Sequence, residues 1–152
     1  MTLRERLEAD MKEALKAREA GRLRLSVVRL VRAGVRNAEI ERGKVELDDA
    51  GVAAVVRREI KQREEVLPDY ERAGRMDDVE RIRAELAILR EYLPAAASEE
   101  EIRRVVDEVA VEVGATGPRD MGAVMKGALA RLAGRAEGAE VRRAVEARLR
   151  SG

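Results

Sequence analysis

The amino-acid sequence predicts an all-α protein. The 152 residues are 45% apolar and 40% charged but only 1% aromatic, a mixture typical of helices with a narrow apolar stripe and a solvated charged face. Apolar residues also recur at helical spacing in one segment after another, and the whole chain holds only three prolines. We therefore expect an elongated N-terminal domain of about four helices, residues 1–94, followed by a smaller three-helix domain, residues 98–152.

The boundary between these domains is expected at Pro94 to Ser98. The preceding helix ends at Pro94, because proline lacks the N–H group and its ring clashes with the preceding turn. Ser98 and Glu101 then have the spacing of a capping box, in which the serine accepts from the backbone of the third helical residue and the glutamate reaches back. One helix stops here and another begins.

Two helices are predicted at the start of the chain. Thr2 and Glu5 form a capping box for the first, which should run to about Ala20 and close at Gly21. The second covers about Leu23 to Glu41. Between residues 18 and 44 there are eight basic and three acidic residues, and three arginines share one side of the second helix: Arg29, Arg32 and Arg36. This stripe is either a solvated face or a surface that follows phosphates.

The third helix should begin at Asp48, its N-cap, and reach about Ala73. Pro68 lies inside this pattern and is expected to kink or interrupt the helix near Val66. If continuous, the helix would be roughly 39 Å long at about 1.5 Å per residue. The fourth helix, about residues 77–93, follows a short turn, so the two should pack antiparallel.

Three more helices are predicted after Ser98. The first is acidic, with six acidic and two basic residues in 98–113, and Gly114 should end it. The next begins near Gly117-Pro118 and Asp120, and the last follows the turn at 134–138. From residue 114 onward the balance reverses to eight basic and four acidic residues. Met121 and Met125 are expected to fill the core, and Gly122 and Gly127 to permit close helix packing.

The composition excludes the common kinds of catalysis. The chain has no cysteine and no histidine, which removes thiolate nucleophiles, imidazole bases and the usual zinc ligands. Its hydroxyl side chains, apart from tyrosine, are few: Ser26, Ser98, Ser151, Thr2 and Thr116. We find no glycine-rich phosphate loop and no metal-ligand spacing, so no catalytic residue, cofactor or metal is predicted. The charged start of the chain and the absence of a run of about 20 apolar residues predict a cytoplasmic protein with no membrane partner.

Several short motifs follow one another along nearly the whole chain. They are Arg29-Leu30, Asn37-Ala38-Glu39-Ile40, Glu59-Ile60-Lys61-Gln62-Arg63, Tyr70-Glu71-Arg72-Ala73-Gly74-Arg75, Glu85-Leu86-Ala87-Ile88-Leu89, Tyr92-Leu93-Pro94, Gly114-Ala115-Thr116, Asp120-Met121-Gly122 with Val124-Met125, and Gly134-Arg135-Ala136. In their order and spacing these motifs resemble the YqeY family. The resemblance implies an all-helical protein with a second, tail-like domain.

The C-terminal part is also similar to the tail of the B subunit of the tRNA-dependent amidotransferase, which corrects misacylated tRNA. There the helical tail contacts tRNA and performs no chemistry. Related domains are appended to some glutaminyl-tRNA synthetases. The resemblance also explains the family label of carbon–nitrogen ligase activity with glutamine as amido-N-donor, which travels with the shared tail. The amidase and ATP-dependent parts of that enzyme have no counterpart among the residues here.

The leading hypothesis is a non-catalytic accessory module that binds tRNA. Its phosphate contacts are expected from five basic residues: Lys126, Arg131, Arg135, Arg142 and Arg143. Because the chain has two tyrosines and neither Phe nor Trp, recognition would depend on backbone shape and charge rather than base stacking. The alternative is a protein-interaction module that docks on an amidotransferase or an aminoacyl-tRNA synthetase, which the net charge of only +1 favours. Transamidation by the chain alone is a third hypothesis.

Overall fold

The structure, a computed structural model, describes residues 1–150; Ser151 and Gly152, and with them the last serine counted above, lie outside the described residues. The described part contains seven α-helices and no strand, so the all-α prediction is confirmed. The helices group into two compact units, Met1–Leu93 and a second that begins at Pro94. Each unit has its own apolar core and is described by itself.

The first unit contains four α-helices and a 3₁₀ turn. They are α1 (Leu3–Lys16), the turn Arg18–Gly21, α2 (Arg22–Glu41), α3 (Asp49–Arg72) and α4 (Met76–Arg90). Two predicted N-caps are present: the Thr2 hydroxyl accepts from Glu5 N–H at 3.1 Å, and the Asp48 carboxylate accepts from Gly51 N–H at 2.9 Å. These caps satisfy donors that have no partner inside the helix, which fixes where α1 and α3 begin.

The first helix ends earlier than predicted, at Lys16 rather than about Ala20. Arg18 adopts a φ of +53°, which an α-helix cannot contain, and the chain continues as a 3₁₀ turn. Gly21 does not close the helix as expected. It is buried where the chain passes α1, and a Cβ atom there would lie 2.2 Å from the Ala14 carbonyl oxygen. Glycine is required at this position by close backbone approach.

The expected interruption of α3 near Val66 is wrong, because the helix runs through Pro68 to Arg72 without a break. Pro68 has no N–H group, so the helix loses the hydrogen bond to the Glu64 carbonyl. Residues 64 and 68 are both exposed, and water can satisfy that carbonyl. The cost of the proline is therefore smaller than in a buried helix centre.

The core of the first unit is rich in valine and leucine and contains the ring of Tyr92. The Tyr92 side chain is 1% exposed, and its hydroxyl donates to Asp10 Oδ2 at 2.5 Å. Burial, together with this hydrogen bond, raises the pKa of Tyr92 to about 12. The Arg6 guanidinium lies over the ring, 4.8 Å from its centroid. Tyr92 is thus a core residue of the first unit, and its ring is not available to stack on a base.

The second unit contains three α-helices and a 3₁₀ turn: α5 (Glu99–Val113), the turn Pro118–Asp120, α6 (Met121–Leu132) and α7 (Gly138–Arg150). Ser98 caps α5 by accepting from Glu101 N–H at 3.1 Å, and Gly114 ends α5 with a left-handed φ of +67°. Asp120 accepts from the N–H groups of Thr116 and Gly117, at 2.8 and 3.2 Å, and these bonds lower its pKa.

The two glycines of α6 differ in their surroundings. A Cβ atom on Gly127 would lie 2.6 Å from Val109 Cγ1 of α5, so this glycine permits the close approach of α5 and α6. A Cβ atom on Gly122 would meet nothing within 4 Å. The packing interpretation is therefore confirmed for Gly127 and wrong for Gly122. Met121 and Met125 both pack against the core, as predicted.

Candidate nucleic-acid interface

The five basic residues predicted to contact phosphates all lie in the second unit, but the structure gives them different surroundings. Two of them are held by carboxylates of α5. Within residues 1–150, the two on α7 and the one on α6 have no hydrogen-bond or ionic partner for their side chains. Because a guanidinium that already binds a carboxylate must break that interaction to bind phosphate, the distinction decides which side chains are free to act.

Arg135 is held by the unit's own residues. Its two terminal nitrogens donate to Glu101 Oε1 and Oε2 at 2.9 and 2.8 Å, and its Nε donates to the Ala95 carbonyl at 3.0 Å. The backbone adds a bond from Ala97 N–H to the Arg135 carbonyl at 2.7 Å. Glu101 therefore does not complete the expected capping box with its carboxylate. Arg135 instead fastens the segment before α5 to the turn before α7.

Arg131 lies between two acidic residues of α5. Its guanidinium donates to Glu108 Oε2 at 3.4 Å and forms a close ion pair with Glu112. This ion pair lowers the pKa of Glu112 and raises the pKa of Arg131. Two carboxylates surround one guanidinium, so this corner of the unit carries no excess of positive charge. Lys126 is exposed on α6, and no residue in 1–150 forms an ion pair or hydrogen bond with its amine.

Arg142 and Arg143 are both exposed, and within the described part of the chain neither forms a hydrogen bond or ion pair. Arg143 lines an open groove of about 240 Å³ between α5 and α7, together with Arg103. Two acidic residues, Glu99 and Glu140, share that groove. The groove is therefore lined by two basic and two acidic side chains, with no excess of either charge.

Arg142 lines a second open groove, of about 440 Å³, between α7 and the start of α6. Arg150 is the other basic residue in this groove and Glu146 the acidic one, and the remaining lining side chains are apolar: Pro118, Met121 and Leu149. Both grooves beside α7 are thus lined by α7 arginines that have no ionic partner in the described residues. Lys126 lines neither groove, so the structure does not place it with the others.

Arg103 was not among the residues predicted from the sequence. It belongs to α5, which the sequence presents as an acidic helix, and nothing in its local pattern separates it from Arg104. In the structure Arg104 is 3.9 Å from Glu101, whereas Arg103 has no ionic partner among residues 1–150 and lines the same groove as Arg143. Only the packing of α5 on α7 shows this difference.

The arrangement suits contact with a charged backbone and not with bases. Both tyrosines belong to the first unit: Tyr92 is buried, and Tyr70 has the Arg75 guanidinium 5.2 Å from its ring centroid. The second unit therefore offers no aromatic ring for base stacking. In residues 1–150, no three acidic side chains are placed so that they could share a metal ion.

Among residues 1–150, no helix combines the length and the apolar character that crossing a membrane requires.

Comparison with known proteins gives two findings. The family model described as Yqey-like protein matches residues 4–149, almost the entire chain. The chain is also 30% identical over 114 residues to a protein of Lachancea thermotolerans named altered inheritance of mitochondria protein 41, mitochondrial. That match covers 74% of this chain and 60% of the relative, so the chain spans less than two thirds of the length of that curated protein.

Proposed function

We propose, because this chain belongs to the YqeY family, that it is a non-catalytic accessory module of two helical domains whose second domain binds tRNA. The single observation that carries this proposal is the group of arginines around α7 that have no ionic partner among residues 1–150: Arg103, Arg142, Arg143 and Arg150. Their positions in two grooves on either side of one helix suit a polyanionic backbone that lies along that helix.

The proposed contacts are narrower than the five residues predicted from the sequence. Arg142 and Arg143 would bind phosphates directly, with Arg103 beside Arg143. Lys126 could add a further contact only if the RNA extends beyond the two grooves. Arg131 and Arg135 would act through Glu112 and Glu101, by holding the helices that carry the site rather than by touching RNA. The relation to amidotransferases, and the ligase activity attached to it, would then concern a shared RNA-binding tail and not chemistry performed by this chain.

Salt dependence tests the proposal. The affinity of the full chain for bulk tRNA should fall steeply with salt. The R142Q/R143Q variant should reduce the slope of log K against log[salt] by roughly 1.4 to 1.8, at about 0.7 to 0.9 for each phosphate that is no longer neutralised. The control is R81Q/R83Q, which removes the same charge from exposed arginines of α4. Equal slopes for the wild-type protein and R142Q/R143Q, or the same change in the control, would refute the assignment.

The alternative is a module that docks on an amidotransferase or an aminoacyl-tRNA synthetase. The charge of +1 over the whole chain favours it, because general attraction to RNA is weak for a nearly neutral protein. Recovery of such an enzyme by the immobilised chain after nuclease treatment would support docking, and recovery of RNA without protein would oppose it. The cytoplasmic location stays a prediction, since the curated relative carries a mitochondrial name.

A further inference from the structure

The outward face of α2 in the first unit has an unusual charge pattern. Residues 22–38 contain five arginines and no acidic residue. Three of these arginines are engaged: Arg22 with Glu19 at 3.8 Å, Arg24 with Glu91 at 2.9 Å, and Arg32 with the Met11 sulfur at 2.9 Å. The other two, Arg29 and Arg36, are exposed and have no ionic partner in residues 1–150.

The two unpaired arginines border a row of exposed residues at heptad spacing. Leu30, Ala33, Asn37 and Ile40 follow one another at intervals of three, four and three residues, and all four are exposed. Leu30 is 47% and Ile40 58% exposed, although both are large aliphatic residues. In heptad terms these four occupy a and d positions, while Arg29 and Arg36 occupy the flanking g positions that select the charge of a partner helix.

A groove between α2 and α3 lies beside this row. It has a volume of about 410 Å³, and Asn37 lines it from α2 while Arg58 and Gln62 line it from α3. Gly34 lets the two helices approach closely, since a Cβ atom there would lie 2.9 Å from Val55 Cγ1. The groove is therefore bounded by two packed helices and has a basic side chain on its α3 wall.

Few acidic groups oppose these arginines. Glu39 is occupied by Arg4 and by the Leu47 N–H at 2.9 Å, and Glu59 by Arg63 at 2.7 Å. Glu41 is the acidic residue of the groove for which no partner is found among residues 1–150. It is outnumbered by basic side chains without an ionic partner in residues 1–150, namely Arg42 and Arg58 of the groove and Arg29 and Arg36 of the α2 row. The surface is positive and has apolar residues at helical intervals.

We propose that the face formed by the α2 row and the α2–α3 groove docks an acidic amphipathic helix of a partner protein. The partner's apolar residues would cover Leu30 and Ile40, and its glutamates or aspartates would pair with Arg29, Arg36 and Arg58. A phosphate backbone would satisfy the arginines but would leave the two aliphatic side chains in water. A second α2 helix packed antiparallel would bring like charges together at the g positions. A parallel copy would set Arg36 against Glu41 at an e position but would leave Arg29 opposite Gly34. The pattern therefore fits an acidic helix best.

The full chain can be tested with two labelled synthetic peptides of three heptads, both with leucine at a and d. One carries glutamate at e and g and the other lysine. Fluorescence anisotropy should show that the glutamate peptide binds at least about tenfold more tightly than the lysine peptide. R29E/R36E and, separately, L30S/I40S should each weaken the glutamate peptide by about tenfold or more. The control R81E/R83E should leave its affinity within about twofold of the wild-type value.

Several results would overturn the inference. Equal affinity for the two peptides would do so, and so would unchanged binding by R29E/R36E and L30S/I40S. A wild-type dimer in sedimentation velocity that the R29E/R36E substitutions dissociate would assign the face to a second copy of the chain. A loss of tRNA affinity in R29E/R36E without a loss of peptide affinity would assign the face to RNA. Because R142Q/R143Q tests the proposed tRNA site in the other unit, the two proposals can fail independently. Far-UV circular dichroism confirms that each variant is folded.

Discussion

Replacing Gly127 with alanine should destabilise the second unit, and the same replacement at Gly122 should stabilise it. Both glycines lie in α6, and in both cases the alanine removes the helix-propensity cost of glycine, about 1 kcal/mol in a helix interior. At Gly122 the added methyl group meets nothing within 4 Å. We expect a gain of about 0.5 to 1 kcal/mol in the free energy of unfolding, because Gly122 lies in the first turn of the helix.

At Gly127 a steric cost outweighs this gain. The new Cβ atom would lie 2.6 Å from Cγ1 of Val109, a side chain that is 2% exposed. Valine is branched at Cβ and has no flexible end that can move aside. Overpacking of this kind costs about 1 to 3 kcal/mol, and we take the upper part of that range. After subtraction of the propensity gain, Gly127→Ala should lower the free energy of unfolding by about 1 to 2 kcal/mol.

Urea unfolding of the full chain, followed by circular dichroism at 222 nm, measures both effects. Tyrosine fluorescence provides an internal reference, because both tyrosines lie in the first unit and the far-UV signal comes from all the helices. A destabilisation confined to the second unit should move the far-UV transition of Gly127→Ala to lower urea. Gly122→Ala should move it the other way.

Val109→Ala identifies the clash itself. The single variant should cost roughly 2 kcal/mol through the cavity it creates. In its background, Gly127→Ala should become neutral or stabilising, since the atom that the new methyl group meets is gone. If Gly127→Ala is as destabilising in the Val109→Ala background as in the wild-type protein, or if it stabilises as Gly122→Ala does, the steric explanation is wrong.

Three further predictions test a buried tyrosine, a strained helix end and a partly buried ion pair. In the single-tyrosine variant Tyr70→Phe, absorbance at 295 nm should give Tyr92 a titration midpoint near 12 instead of the ordinary 10.0. Because the folded-state pKa is raised, the contribution of Tyr92 to stability is present below pH 10 and lost as the pH rises toward 12. A midpoint near 10 would contradict the burial of the hydroxyl. Ala133→Gly should raise the free energy of unfolding by about 0.5 to 1 kcal/mol, since residue 133 has a left-handed φ of +46°, and an unchanged urea midpoint would argue against this strain. Arg63→Met should lower the free energy of unfolding, measured in urea, by about 2 to 4 kcal/mol. The Arg63 side chain is 13% exposed, and its loss would leave the carboxylates of Glu59 and Glu85 without this partner. The control Arg90→Met, whose partner Glu64 is exposed, should cost less than about 1 kcal/mol.

The sequence could not predict which of the proposed phosphate-binding side chains are held by carboxylates. Arg131 and Arg142 both carry a guanidinium on a helix of the second unit, and no local pattern separates them. The carboxylates that hold Arg131 lie 19 and 23 residues away on α5. The partner of Glu101 could not be predicted from local spacing either. Its spacing from Ser98 indicated a capping box, whereas its carboxylate binds Arg135, 34 residues along the chain.

The sequence by itself determined the all-α class, the start of α1, α3 and α5 at Thr2, Asp48 and Ser98, and the absence of cysteine and histidine chemistry. These follow from helical periodicity, capping within three residues and residue inventory, which are all local. Only the tertiary structure decided that Pro68 lies within a continuous helix and that Gly127 rather than Gly122 serves packing. It also decided that Arg131 and Arg135 are paired, whereas Arg103, Arg142 and Arg143 have no ionic partner in the part of the chain that the structure describes. The physical reason is that burial, steric fit and ion pairing depend on side chains from other helices, whose positions no local pattern specifies.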